Sequence, residues 1–207
     1  MKKLIQGIME FRKVRRESFL GLFNQLAQGQ KPDCLFIACS DSRVAANVFA
    51  STDPGDLFVI RNLGNIMPPS PDKGSAVAAL EFALHTLKIR HIVVCGHSDC
   101  GAMRELARDP EAQGPTPLSC WLRHAKAAVN RDDLNLDALS KRNVALQLEN
   151  LRSYSAVQEK EASGDLKLHG IWFEIHEAEV YYLEKSLGEF VLIDEVEGKR
   201  ILAGLED

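Results

Sequence analysis

Three short runs, CLFIAC (34 to 39), DLFVIR (56 to 61) and HIVVCG (91 to 96), are almost uninterrupted apolar segments. Strands covered on both faces have that pattern. Between them lie VAANVFA (44 to 50) and GSAVAALEFALHTLK (74 to 88), which read as helices. Strand, helix, strand, helix, strand predicts right-handed parallel crossovers. A fourth run, LHGIWFEI (168 to 175), follows helical regions around 117 to 130 and 139 to 163, and the tail from Tyr181 to Asp207 reads as short strands and turns. The first 28 residues place Leu4, Ile8, Phe11, Leu20, Phe23 and Leu26 at helical spacing. They form two helices or one bent helix, with an apolar side that must pack on something. The chain therefore reads as α/β, with a mostly parallel central β-sheet flanked by helices. In such a sheet ligands collect outside the carboxyl ends of the strands. Cys39 ends the first run and His97 and Cys100 follow the third, so both groups fall on the same edge.

A length of 207 residues suits one sizeable domain, 1–207, with 1–28 as a helical arm. The loops at 68–75 and 108–117 separate no blocks of different composition. With 25 basic against 29 acidic residues and a net charge of -4, nothing recruits nucleic acid. The basic start, MKKLIQGIMEFRKVRRE, is interrupted by Glu10 and Glu17 and lacks a small-residue cleavage site, so it reads as a mature amphipathic helix and not a leader. No apolar stretch approaches the roughly 20 residues of a membrane span. Five cysteines, an odd count without a disulfide-dense scaffold, indicate a reducing, cytoplasmic setting.

Zinc favours four tetrahedral ligands drawn from thiolate, imidazole and carboxylate, and a catalytic site keeps one position for water or substrate. Cys39, His97 and Cys100 supply three. The spacing His97-x-x-Cys100 lets one turn present two of them, and Cys39 arrives from a neighbouring strand. The alternative, that cysteines are small buried hydrophobes, suits Cys34, Cys95 and Cys120, and these are expected in the core. It suits Cys39 and Cys100 poorly, because they sit among Ser, Asp, Arg and Gly in turn-like sequence. His85, His91, His124, His169 and His176 have no companion at a convincing spacing and read as surface or hydrogen-bonded histidines. Asp99 reads as a turn residue.

The segments CSDSRV, PGDLFVIRNLGN and VCGHSDCGAM, in that order, resemble the β-class carbonic anhydrases. The similarity runs from the N-terminal helices through LHGIWFEI. It implies zinc-dependent reversible hydration of carbon dioxide to bicarbonate, one zinc per chain on Cys39, His97 and Cys100, and Asp41 with Arg43 as a hydrogen-bonded dyad beside it. It further implies a homo-dimer, often doubled to a homo-tetramer, with N-terminal helices that pack on a partner subunit. Zinc lowers the pKa of bound water to about 7, a value established for carbonic anhydrase with three histidine ligands. Two thiolates cancel the dication, so the same ionisation here is expected at more alkaline pH. The resemblance places Gln30 as an amide donor to a substrate oxygen, and Phe58, Leu63 and Phe82 around an apolar pocket, although plain core packing accounts for those three equally well. Gly101 matches a glycine whose amide faces substrate, or one that a turn requires. In one branch of the family the aspartate swings onto the metal, and those enzymes hold bicarbonate between a tryptophan, an arginine and a tyrosine. The matching positions here are Phe36, Arg61 and Phe173, so Asp41 is expected to stay paired to Arg43. Two rival functions remain open on these residues: hydrolysis of carbonyl sulfide or carbon disulfide, and a non-catalytic zinc-stabilised binding module.

Overall fold

A computed structural model describes residues 1–205 apart from Gln113 and Lys185. The loop expected at 108–117 and the domain expected over 1–207 are therefore described except at these positions. Strands β1 (Cys34–Cys39), β2 (Leu57–Asn62), β3 (His91–His97), β4 (Lys167–Glu174), β5 (Glu179–Glu184) and β6 (Glu189–Leu192) form one six-stranded sheet in the order β2-β1-β3-β4-β5-β6. The first four are parallel and the last two antiparallel. The expected strands are all present, shifted by at most a residue. Leu35, Ile37, Ile92, Val94 and Leu168 are fully buried, as the uninterrupted apolar runs require.

The N-terminal arm comprises α1 (Lys2–Glu10) and α2 (Arg16–Leu26), joined through a wider π-helical turn over Phe11–Arg15. Leu4, Ile8, Phe11 and Phe23 all stand exposed on it. Its apolar stripe thus finds little cover within its own chain. The crossovers are α3 (Ala46–Phe49) and α4 (Ser75–His85). Helices α5 (Gly101–Arg108), α6 (Pro117–Leu122), α7 (Leu136–Arg152) and α8 (Ser155–Ala162) lie between β3 and β4. Helix α5 is additional to the expected helices, and α7 and α8 are two helices where one helical region, 139 to 163, is expected. The tail adds a helix, α9 (Glu195–Ala203), where only strands and turns were expected, and Asp194 caps it by accepting from the amides of Val196 and Glu197.

Helix α7 packs on β3 and β4 at a separation that glycine sets. A Cβ on Gly96 would lie 2.6 Å from Cγ2 of Val144 and 3.1 Å from Cδ1 of Trp172. Val144 is short and fully buried, so neither side can yield without moving helix or strand. Gly96→Ala is expected to destabilise the fold by about 1–3 kcal/mol through overpacking, read from a urea melt with unchanged slope. A variant as stable as the parent would contradict this packing account.

Candidate metal centre

Parallel registers bring the site together. Cys39 closes β1 opposite Asn62 of β2, and His97 closes β3, whose Cys95 lies opposite Ala38. The chain then turns through Asp99, at a left-handed φ of 51°, and delivers Cys100 to the start of α5. The candidate ligand atoms of Cys39, His97 and Cys100 all lie within 4.8 Å of one another, and all three residues are buried.

Each ligand is oriented by a neighbour. His97 Nδ1 lies 2.9 Å from the Ser98 carbonyl, so the ring donates there and presents Nε2 as an acceptor. That Nε2 is buried and has no hydrogen-bond partner among the described residues. Cys39 Sγ accepts from the amides of Gly64 and Asp41, each at 3.4 Å. The neighbouring Cys100, then His97 and the amides of Gly64 and Asp41, hold the Cys39 thiol below its ordinary range against the opposing effect of burial. Cys100 is pushed up, first by its neighbour Cys39 and then by burial, while the Met103 and Ala102 amides at the start of α5 resist the rise. Two sulfurs and an imidazole nitrogen this close together are a donor set that a cation would satisfy.

Gly64 reaches the sulfur from a turn only it can make. Its φ is 77°, and a Cβ there would lie 3.1 Å from both Ala102 and Met103. Asn143 of α7 donates to the Gly64 carbonyl at 2.9 Å, and Ser140 donates to the His97 carbonyl at 2.8 Å. Gln147 accepts from the Met67 amide at 2.8 Å. Ser140, Asn143 and Gln147 are all buried. None was singled out in the sequence, because a polar residue inside a long helix carries no local mark of facing inward.

Asp41 and Arg43 form a fork. Arg43 Nε and amide each donate to Asp41 Oδ1 at 3.0 Å, and Nη2 donates to Oδ2 at 2.8 Å. These bonds hold the Asp41 carboxyl well below the usual carboxylate range, the Arg43 side chain first. Arg43 also reaches Asp99 Oδ2 at 3.2 Å and the Asp99 carbonyl at 3.1 Å. Asp99 accepts from Arg104 as well, and its amide donates to Asp137 at 3.0 Å. The turn expected at Asp99 is present, with an ionic role the sequence reading did not assign.

Of the expected substrate residues, Leu63 adjoins Gly64, and Gly101 directly follows Cys100. Gln30, Phe58 and Phe82 lie elsewhere in this chain. Phe58 pairs with Leu35 at the other end of β2, roughly 13 Å of strand from Asn62, and its ring lies 5.8 Å from that of Phe82. Gln30 lines a surface cleft with Leu26, Pro54 and Gly55. Phe36, Phe49 and Phe173 pack together, with the last two stacked at 4.6 Å. Arg61 donates to the carbonyls of Cys39 and Asp41.

One expectation needs correction. Cys120 is exposed, not core, because α6 turns Leu122 inward and leaves Cys120 to accept from Arg123 at 2.7 Å; Cys34 is half-buried. His91 and His169 are hydrogen-bonded histidines, as expected: His91 Nδ1 lies 3.1 Å from His169 Nε2, and His169 Nδ1 lies 3.1 Å from the Tyr182 hydroxyl. These neighbours come from adjacent strands, which spacing along one segment cannot reveal.

A family model described as carbonic anhydrase matches residues 34–180. A carbonic anhydrase of Synechocystis is 42% identical over 203 residues, spanning 92% of this chain and 74% of that protein. The solved structure of the β-carbonic anhydrase CcaA superimposes with a TM-score of 0.86 at 40% identity, covering 94% of this chain and 92% of the other. Two tetrameric β-carbonic anhydrases from Sordaria macrospora give a structure similar at a TM-score of 0.74 and 28% identity, covering 88% and 95%.

Removing any one of Cys39, His97 or Cys100 is expected to weaken metal retention by more than about 100-fold, measured as bound metal per chain after dialysis. Cys120→Ser is expected to retain the parental content. Stoichiometric metal in Cys100→Ala would remove Cys100 from the ligand set.

Proposed function

The chain belongs to the β-class carbonic anhydrases and catalyses the reversible hydration of carbon dioxide to bicarbonate and a proton, and we propose that Cys39, His97 and Cys100 hold its zinc ion while Asp41 and Arg43 orient the reacting water. The observation that carries this reading is the buried His97 Nε2 without a partner among the described residues, gathered within 4.8 Å of two buried cysteine sulfurs. Thiolate and imidazole donors in that number suit zinc. Bound there, zinc would supply Lewis acidity that lets water lose a proton near neutral pH.

The remaining work falls to the chain's own groups. Asp41 Oδ1 is taken by two donors, whereas among the described residues Oδ2 receives only Arg43 Nη2. Oδ2 thus keeps a lone pair for a water hydrogen, and that bond turns the water's own lone pair toward the carbon of substrate. Asp41 performs this only as an anion, which the Arg43 fork secures. Arg43 in turn keeps the carboxylate on its own side of the centre, so the site is open near neutral pH. The Gly101 amide, free at the first position of α5, is placed to donate to a substrate oxygen. Leu63 offers an apolar wall to uncharged carbon dioxide.

The unit of function in this reading is at least a dimer, with a homo-tetramer as its doubled form. Gln30, Phe58 and Phe82 do not converge on the metal centre of their own chain, and β2 is one of the sheet's two edge strands, with Val59 and Phe82 exposed along that side. A partner subunit docked there places those residues at the neighbouring centre and covers the bare stripe of the arm.

Stopped-flow hydration of carbon dioxide by zinc-loaded protein tests the assignment. Asp41→Asn and Arg43→Ala are each expected to lower kcat/KM by about 10²–10³-fold while zinc content stays at one per chain. Parental rates in Asp41→Asn would remove the carboxylate from the reaction. Deleting residues 1–28 is expected to convert the dimer to monomer or aggregate in sedimentation velocity, since apolar surface becomes bare on both partners. A soluble, fully active dimer would defeat the arm's role.

A further inference from the structure

The opposite edge of the sheet, where β1, β3 and β4 begin, carries a cleft of about 550 Å³ lined by Lys31, Asp33, Lys88, Arg90, His91 and Lys167. Among the described residues, four full positive charges meet there with one carboxylate, in a chain whose net charge is -4. Most other clustered cations are neutralised: Arg43, Arg104, Arg142, Arg152 and Arg200 each pair with a carboxylate. Among the described residues, Lys31, Lys88, Arg90 and Lys167 have no such partner, and the Lys167 ammonium reaches only the Gly204 carbonyl, at 3.4 Å. Gathering like charges is unfavourable, by about 1 kcal/mol for a pair 4 Å apart in water and less as they separate. Lys88 also sits at a φ of 57°, a backbone region that favours glycine, so a long cation is kept where a bare turn residue fits more easily.

The potential in the cleft is felt by a side chain on its wall. Burial, then the charges of Lys167 and Arg90, push the His91 imidazole below its ordinary pKa, against the pull of Asp33. On its other side His91 meets His169, which meets Tyr182 in the adjoining cavity. His91 begins β3 and His97 ends it, so roughly 20 Å of strand separates the cleft from the metal centre.

We propose that this cleft is a second binding site, taking a multiply charged oxyanion of the phosphate or diphosphate class on Lys31, Lys88, Arg90 and Lys167. Ammonium and guanidinium groups are the natural donors for such an anion, and the volume exceeds what a lone phosphate fills. An anion seated among these cations also cancels the field at His91, which makes the imidazole a reporter of occupancy.

The test follows the His91 ring signals by NMR in zinc-loaded full-length protein, assigned by their loss in His91→Gln. Sodium phosphate and sodium diphosphate are titrated separately, with sodium chloride holding ionic strength constant. A saturable shift is expected, with diphosphate binding more tightly than phosphate and the His91 pKa rising in the complex. The double variant Lys88→Ala with Lys167→Ala, folded as judged by parental carbon dioxide hydration, is expected to weaken binding by about tenfold or more. Absence of a saturable shift with either anion below about 10 mM would overturn the proposal, as would an equal shift with chloride alone, the signature of simple screening. Unchanged affinity in the double variant would also overturn it.

Discussion

A buried imidazole nitrogen with no hydrogen-bond partner among the described residues is the constraint around which this structure is arranged. Leaving a buried polar atom unsatisfied costs about 1–3 kcal/mol, and here the atom is aimed at two buried sulfurs instead of being turned toward water. A fold retains such an arrangement when its surroundings leave no other position. His97 cannot rotate freely, because its Nδ1 is held by the Ser98 carbonyl and its own carbonyl by Ser140. Cys39 cannot withdraw, because Arg61 grips its carbonyl while two amides point at its sulfur. The geometry is held by the chain's own neighbouring groups, which is what distinguishes a built centre from a chance cluster.

Helix α7 is the common support. Its buried face carries Ser140, Asn143 and Gln147 where a plain amphipathic helix would carry leucine, and each of them ends on main chain of the site-bearing loops. Networks of this kind specify one arrangement because every member loses a partner if the helix slides. The tight approach at Gly96 fixes the height at which those side chains work. The packing of Val144 on Gly96 and the hydrogen bond of Ser140 to His97 therefore act together, one setting the distance and the other the register. The chemistry at the edge of the sheet is positioned from below, by a helix that contributes no ligand.

How much of this was legible in the sequence follows from where each signal resides. Strands β1, β3 and β4 were readable because burial on both faces leaves an unbroken apolar run, whereas β2 has the same kind of run but lies half-exposed at the sheet edge; the gathering of Cys39, His97 and Cys100 was readable because they close or follow strands at one edge. The buried polar face of α7 was not readable: inward-facing Asn and Gln differ from outward-facing ones only through partners about 80 residues away, such as Gly64 and Met67. Helix α5 was hidden by its shortness and by the polar residues of its open side. The His91 and His169 pair arises from β3 and β4 lying side by side, a relation between segments that share no motif. Cys120 was misjudged because residue type predicts burial only on average, and α6 offers its inner face to Leu122.

The dyad shows why position matters more here than strength. An exposed ion pair is worth about 0–1 kcal/mol, and Arg43 is 44% exposed in its side chain. Attraction alone would leave Asp41 poorly fixed. Geometry supplies what energy does not. The guanidinium meets Asp41 through two of its nitrogens, and its remaining edge meets Asp99 by side chain and carbonyl. Asp99 is itself tied to Arg104 on α5 and to Asp137 on α7. A planar group held on both edges has one orientation, and so does the carboxylate it faces. Because Asp99 lies in the turn between His97 and Cys100, any displacement of that turn moves ligands and dyad together. The candidate ligands and the dyad are thus one mechanical unit, and such shared positioning is what the alignment of a small, uncharged substrate requires.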